Sequence, residues 1–490
     1  MTPSTTLLSQ NPEICDLPAR QLAALIRTGG ISSREVVTAF LKRIDALNPR
    51  VNAIISRVPE AQLLAQADAA DQAIARKEPV GALHGLPMAV KDTTDTAGIL
   101  TTYGSPIFRN HVPAVDGLMV SRLRKAGAIF IGKTNVPEFG LGSHSYNTIF
   151  GVTGNAWDPR YSAGGSSGGA ASATALRMLP FADGSDLGGS LRNPAAFNNV
   201  LGFRPSQGRV PHWPRQETFL DQLVTEGPIA RSADDLALLL SVQAGYDPRV
   251  PLSLDAATPD WHDQLGADFN GKRIGWLGDL SGHLPFEPGI LEMCRSGLDR
   301  FGAAGIEVES IQPDFDWTRI WRAFVVLRQF EMGRKFAAAY DNAKTRELMK
   351  PELQWEIENS HTLRVPDVQQ AMIDRTAWYD MALSLFERFD YLAIPSAQVF
   401  PFAVEKHWPE QIAGRQMDSY HRWIEVMVLG TLTGCPIMSL PVGFNPAGLP
   451  MGVQIIGRPR GDLSVLQLTH LYESLTPFLK MSPGDQASSE

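Results

Sequence analysis

Gly164-Gly165-Ser166-Ser167-Gly168-Gly169 and Gly184-Ser185-Asp186-Leu187-Gly188-Gly189-Ser190-Leu191-Arg192 are two glycine- and serine-rich runs separated by a stretch of small residues. That stretch reads as a helix over residues 169–179, and Leu179-Pro180-Phe181-Ala182 leads directly into the second run. Upstream, Leu86-Pro87-Met88-Ala89-Val90 has the length and character of a short buried strand and ends in Lys91-Asp92. Together these segments carry the parts of an acyl-transfer site that does without histidine. Ser190 can serve as nucleophile, Ser166 as proton relay and Lys91 as base, while glycine backbone beside Ser190 can offer N–H groups to an oxyanion.

Outward from this centre, strand and helix signals alternate. Ser32-Ser33-Arg34-Glu35 has the spacing of a capping box, and Val36, Val37, Phe40, Leu41, Ile44 and Leu47 follow at helical intervals up to Asn48-Pro49, which is expected to stop the helix. Further helices are expected over residues 61–75 and 115–126, and strands over 128–131, 273–276, 391–394, 437–440 and 453–456. The longest helical stretch falls within residues 316–390. Such alternation predicts an α/β fold, a mixed central sheet covered by helices on both faces. The expected organisation is a helical segment at 1–80, the core at 81–240, the remainder of the same domain at 241–480 with its helical insertion at 316–390, and a disordered tail at 481–490. Residues 205–223, with Pro205, Pro211 and Pro214 around His212-Trp213, form the main loop candidate, either a lid or a surface connection.

Other chemistries fit the glycine runs less well. Neither run continues into Lys-Ser/Thr, and neither matches G-x-G-x-x-G after a clear strand, which argues against a phosphate cradle. Gly164-Gly165-Ser166-Ser167-Gly168 does satisfy G-x-S-x-G, but the preceding Trp157-Asp158-Pro159-Arg160-Tyr161-Ser162-Ala163 is not the apolar strand a nucleophile elbow requires. A Ser-His-Asp mechanism using His212, His262, His283, His361, His407, His421 or His470 stays open as the runner-up. No H-x-x-x-H pair of the zinc-hydrolase type or Cys/His cluster occurs, so neither metal nor cofactor is expected.

The net charge of −8 over 490 residues gives no footprint for nucleic acid. No apolar segment approaches the length of a membrane span, and the start lacks a signal-peptide pattern, so a cytoplasmic protein without a membrane partner is expected. Three scattered cysteines, Cys15, Cys294 and Cys435, suit packing in a reducing compartment. A monomer or homodimer is the expected state.

The ordered motifs resemble the amidase signature family over most of the chain. The resemblance runs from Gly85–Asp92 through Thr101-Thr102-Tyr103-Gly104-Ser105, Gly132-Lys133-Thr134-Asn135-Val136-Pro137-Glu138, Asn147, Phe150-Gly151, Asn155 and both glycine runs. It continues in Glu226-Gly227-Pro228-Ile229-Ala230-Arg231 and Gly448-Leu449-Pro450-Met451-Gly452-Val453-Gln454. The separations agree as well, with 75 positions from Lys91 to Ser166 and 24 from Ser166 to Ser190. The resemblance implies a serine hydrolase of the Ser-cisSer-Lys type. Ser190 would be the nucleophile, Ser166 a bridging serine on a cis peptide and Lys91 the ultimate base. Leu187, Gly188 and Gly189 would form the oxyanion hole with Ser190, supported by Ser167, Asp186 and Arg192, with Ser185 also buttressing the loop.

For substrate, the resemblance implies a small molecule with an amide or carbamate C–N bond. Gly140-Leu141-Gly142 and Gln398-Val399 are the expected pocket residues, with Leu141, Trp213 and Phe400 making it apolar and suited to an aryl group. Bacterial urethanases of this family are the favoured likeness. The alternatives are a general amidase or esterase, and the glutaminase-type subunit of a tRNA-dependent amidotransferase.

Overall fold

The computed structural model describes residues 13–220, 223–255 and 261–483. Residues 1–12 of the expected N-terminal segment and 484–490 of the expected tail lie outside the described residues. A mixed eight-stranded sheet runs through the centre in the order Glu307–Ser310, Arg273–Trp276, Tyr391–Pro395, Pro450–Ile456, Ile437–Phe444, Leu201–Arg204, Thr225–Ala230 and Ala182–Asp186. The first three strands pair in parallel and the rest antiparallel. A smaller sheet has Ile129–Thr134 at its centre, parallel to Pro87–Lys91 and antiparallel to Ile54–Ile55. Helix Leu118–Lys125 makes the crossover between the two parallel strands.

The expected α/β architecture is present, with helices packed against the central sheet. Arg192–Asn198, Ile290–Asp299, Ala233–Gln243 and Asp462–Leu475 all lie against its strands. Pro87–Lys91, Tyr391–Pro395 and Pro450–Ile456 are buried at every position, which is why they read as mainly apolar runs rather than alternating ones, with Lys91 and Gln454 the polar exceptions. Helix Gly168–Ala175 is buried along its whole length because its residues are small. A Cβ on Gly169 would stand 2.4 Å from the Asn135 nitrogen and 2.6 Å from the Ala53 carbonyl, so only glycine permits this approach.

Several expectations are corrected. The Ser32 capping box is formed, but its helix continues through Pro49 to Val51. Pro49 removes one donor near the helix end, and Asn48 stabilises the exit, its carbonyl accepting the Asn52 N–H at 2.7 Å and its Oδ1 the Ala53 and Ile54 N–H groups. The helix expected over 115–126 starts at Leu118, after Gly117. The one expected over 169–179 ends at Ala175, and Arg177 then turns left-handed at φ 57°. The stretch 316–390 resolves into Thr318–Asp341, Ala343–Arg346, Pro351–Ser360 and Val365–Phe386. Among the described residues, the segment between Arg204 and Thr225 has neither helix nor strand, and it contains a cis Trp213–Pro214 bond. The carbonyl of Trp213 accepts the Leu118 N–H at 2.8 Å, and Arg249 lies over its ring at 4.3 Å.

Candidate active site

Lys91 ends a strand whose five residues are all buried, so its amine is delivered into the interior rather than to solvent. Lys91 Nζ donates to Ser166 Oγ at 2.8 Å, Ser167 Oγ at 2.9 Å, and Ser185 Oγ and carbonyl at 3.0 and 3.1 Å. The first glycine run thus supplies two of the hydroxyls, and the edge strand Ala182–Asp186 supplies the third. Burial pushes the Lys91 amine down to about 7, opposed by the charges of Asp183, Asp186 and Glu226. An amine in that range is partly neutral at working pH and can take a proton from a hydroxyl it touches.

The Gly165–Ser166 peptide is cis. It is held from both sides, with Asn193 Oδ1 accepting the Gly165 N–H at 3.2 Å and Ser145 Oγ donating to the Ser166 carbonyl at 3.4 Å. Of the histidines considered in the runner-up mechanism, none bonds to Ser166 or Ser190. His212 engages Glu226, His283 engages Glu425, and His421 engages Ser419.

Ser190 sits on the tight loop beyond the edge strand, 8 % exposed, and its hydroxyl bonds to no described residue. Its carbonyl accepts the Ser167 N–H at 3.2 Å, tying the two glycine runs together. Asp186 organises that loop, accepting the Gly189 N–H at 2.9 Å and the Leu191 N–H at 3.0 Å. Arg192 braces Asp186 with Nε and Nη2 at 3.0 and 2.9 Å and also bonds the Met427 carbonyl, Gln454 and Thr431. Burial alone would raise the Asp186 carboxyl, but Arg192 and Arg204 outweigh it and hold the group well below the usual range. The N–H of Gly189, an expected oxyanion donor, is therefore directed inward to Asp186. The N–H groups of Leu187, Gly188 and Ser190 donate to no described residue.

Gly140 lies against the first run, where a Cβ would come within 3.3 Å of Ser166 Oγ and 3.7 Å of Thr93 Cγ2. Leu141 packs among Met332, Phe336, Met349, Leu353 and Ile357, and Gly142 faces the Tyr420 ring. Gln398 and Val399 are corrected. The Gln398 amide is fully enclosed between the Pro285 carbonyl (3.0 Å) and the Val426 N–H (3.2 Å), and Val399 belongs to the hydrophobic core. Phe400 is likewise buried, its N–H bonded to Glu287. These residues follow a sheet strand and serve packing, since a buried amide needs both ends paired. Trp213, by contrast, lines a cavity of about 440 Å³ together with Tyr103, Phe108, Phe139, Phe336, Thr93, His212 and Glu226. This cavity adjoins the amine cluster, because Glu226 pairs with Ser185 across the sheet and Thr93 flanks Gly140 beside Ser166.

Comparison with known proteins establishes the family. The family model described as Amidase matches residues 35–466. The chain belongs to the Amidase family. Members of the family cleave amide C–N bonds, and this amidase shares both its sequence and its fold with characterised relatives. It is 31 % identical to an acylamidase of Rhodococcus erythropolis over 96 % of this chain and 97 % of the relative. It is 33 % identical to one of the subunits of the Moorella thermoacetica glutamyl-tRNA(Gln) amidotransferase, over 96 % and 99 % of the two chains. Its structure superposes on that of a bacterial aryl acylamidase of the amidase signature enzymes with a TM-score of 0.89 at 29 % identity, covering 96 % of this chain and 98 % of the other.

Asp183 and Lys133 were not singled out from the sequence. Asp183 accepts the main-chain N–H of Lys91 at 3.1 and 3.3 Å through its two oxygens. Lys133, fully buried on the neighbouring strand, donates to the Thr94 carbonyl at 2.6 Å and Thr96 Oγ1 at 2.8 Å. Lys133 stood within the Gly132–Glu138 motif without a role of its own, and the sequence signal for Asp183 was a charged residue beside an apolar run.

Proposed function

We propose that this amidase hydrolyses aryl amides, and aryl carbamates that release the same amines, through an acyl-enzyme on Ser190. The observation that carries the reading is the 2.8 Å hydrogen bond between a fully buried Lys91 amine and Ser166 Oγ. Neutral Lys91 takes the Ser166 proton as Ser166 takes that of Ser190, and Ser190 Oγ attacks the carbonyl carbon. The oxyanion is received by the unengaged N–H groups of Leu187, Gly188 and Ser190, each such donor contributing about 3 kcal/mol. Return of the proton through Ser166 to the nitrogen expels the amine, and water repeats the sequence to release the acid. Ser167 and Ser185 keep the amine aimed at Ser166, and Asp186 with Arg192 holds the loop in shape.

The aryl preference is supported by the aromatic walls of the adjoining cavity, Tyr103, Phe108, Phe139, Trp213 and Phe336, and by the likeness to a bacterial aryl acylamidase. The enzyme acts in the cytoplasm, as a monomer or homodimer, without cofactor. The test is a screen of the purified chain alone against matched anilides, alkyl amides, aryl carbamates, esters and glutamine, with products identified by mass. Turnover of anilides and aryl carbamates well above glutamine and alkyl amides is expected. Glutamine as the preferred substrate, or activity only once a second protein is added, would replace this reading with that of an amidotransferase component.

A further inference from the structure

Pro87–Lys91 and Ala182–Asp186 lie side by side but belong to different sheets, with no shared main-chain ladder. At this seam the Asp183 carboxylate takes the place of a strand partner, both oxygens accepting the Lys91 N–H. Two residues further along the same strand, Ser185 accepts the Lys91 amine through its carbonyl and its hydroxyl. One strand therefore grips Lys91 at both ends, by its main chain and by the tip of its side chain.

Asp183 is fully buried, and among the described residues its carboxylate accepts no hydrogen bond other than that of Lys91. An amide or hydroxyl could accept one N–H at far lower desolvation cost, so a carboxyl group buried here calls for a role of its own. The other charges around Lys91 are already engaged. Asp186 is bound by Arg192 and Arg204, and Glu226 by His212 at 3.1 Å. Asp92, next in the chain, accepts the N–H and hydroxyl of Thr102. Lys133, on the adjacent strand, gives its hydrogen bonds to Thr94 and Thr96.

We infer that Asp183 is a positioning residue for Lys91, registering its main chain across the seam between the two sheets and placing a carboxylate near its amine. The inference rests on the proposed role of Lys91 as base. Removing the charge disfavours the ammonium form, so the amine loses its proton at lower pH.

The test compares kcat/KM against pH for the wild type, Asp183→Asn and Asp183→Ala on one anilide. Asparagine keeps an acceptor for the Lys91 N–H and removes the charge. Its plateau is expected within about threefold of wild type, with the acid limb moved down by about one pH unit. Alanine removes both, and its plateau is expected to fall about a hundredfold through misplacement of the base. An Asn variant whose acid limb stays at the wild-type pH overturns the inference, as does an Ala variant with a wild-type plateau. Should Asp183→Ala fail to fold, the Asn profile alone decides, because a purely structural role would not move the limb. Lys91→Met, measured alongside, separates the two readings. Wild-type turnover in that variant would remove the base assignment itself, whatever Asp183 does.

Discussion

Acidification is expected to switch this amidase off by charging Lys91, and the size of the effect can be worked from its surroundings. The amine is fully buried, touches three hydroxyls and one carbonyl, and loses its proton near 7 because burial outweighs the neighbouring carboxylates. Only the neutral form can take the Ser166 proton. The competent share is then about one half at pH 7, about a tenth at pH 6 and about a hundredth at pH 5. kcat/KM therefore rises with pH through neutrality and levels off above it. Asp183, raised by burial to about 7 against the pull of Lys133, titrates in the same range, so the observed midpoint belongs to the pair rather than to one group. The assay is initial rate on a chromogenic anilide at constant ionic strength, with substrate well below KM. In Lys91→Met the residual rate should be about 10² to 10⁴ lower and should lose this acid limb. A wild-type midpoint near about pH 5, or a profile flat through neutrality, would refute the neutral-lysine argument and point to a carboxylate or histidine base.

Three other outcomes are expected. Ser190→Ala should abolish both turnover and labelling by a fluorophosphonate, whereas retained labelling at that loop would reassign the nucleophile. Arg192→Met leaves Asp186 short of its main counter-charge in a fully buried site and should lower stability by about 3 to 5 kcal/mol, read as a reduced denaturant midpoint. An unchanged midpoint would mean that Arg204 alone suffices. Trp213→Leu removes an aromatic wall of the 440 Å³ cavity and should raise KM for anilides about tenfold while leaving alkyl amides within about twofold, a split that chromogenic and mass-detected assays resolve.

The legibility of the site varied from residue to residue for physical reasons. Lys91, Ser166 and Ser190 stand in segments where glycines and a strand end leave few structural uses for polar side chains, so their pattern made them candidates from the sequence alone. Asp183 and Glu226 lie inside strands, where a charged residue looks like an interruption, and only the tertiary neighbours, Lys91 from the other sheet and His212 from the loop, show what each meets. The strands Leu201–Arg204 and Thr225–Ala230 escaped the sequence reading for the same reason, since Arg204 and Glu226 break their apolar character. Gln398 and Val399 were misread because a residue just past a strand end can face either a cleft or the core. Here the Pro285 carbonyl and the Val426 N–H, both remote in sequence, claim the amide.

Local chemistry was enough to determine the α/β alternation, the capping box at Ser32 and the grouping of glycine with serine around a candidate nucleophile, because backbone preference and hydrophobic period act over a few residues. The tertiary structure alone decided which hydroxyls the Lys91 amine reaches, that Gly189 turns its N–H to Asp186, and that an aromatic cavity adjoins Ser185 and Ser166. Those features depend on burial and on charges brought together from segments about a hundred residues apart, and the cost of desolvating an amine is set by everything that surrounds it.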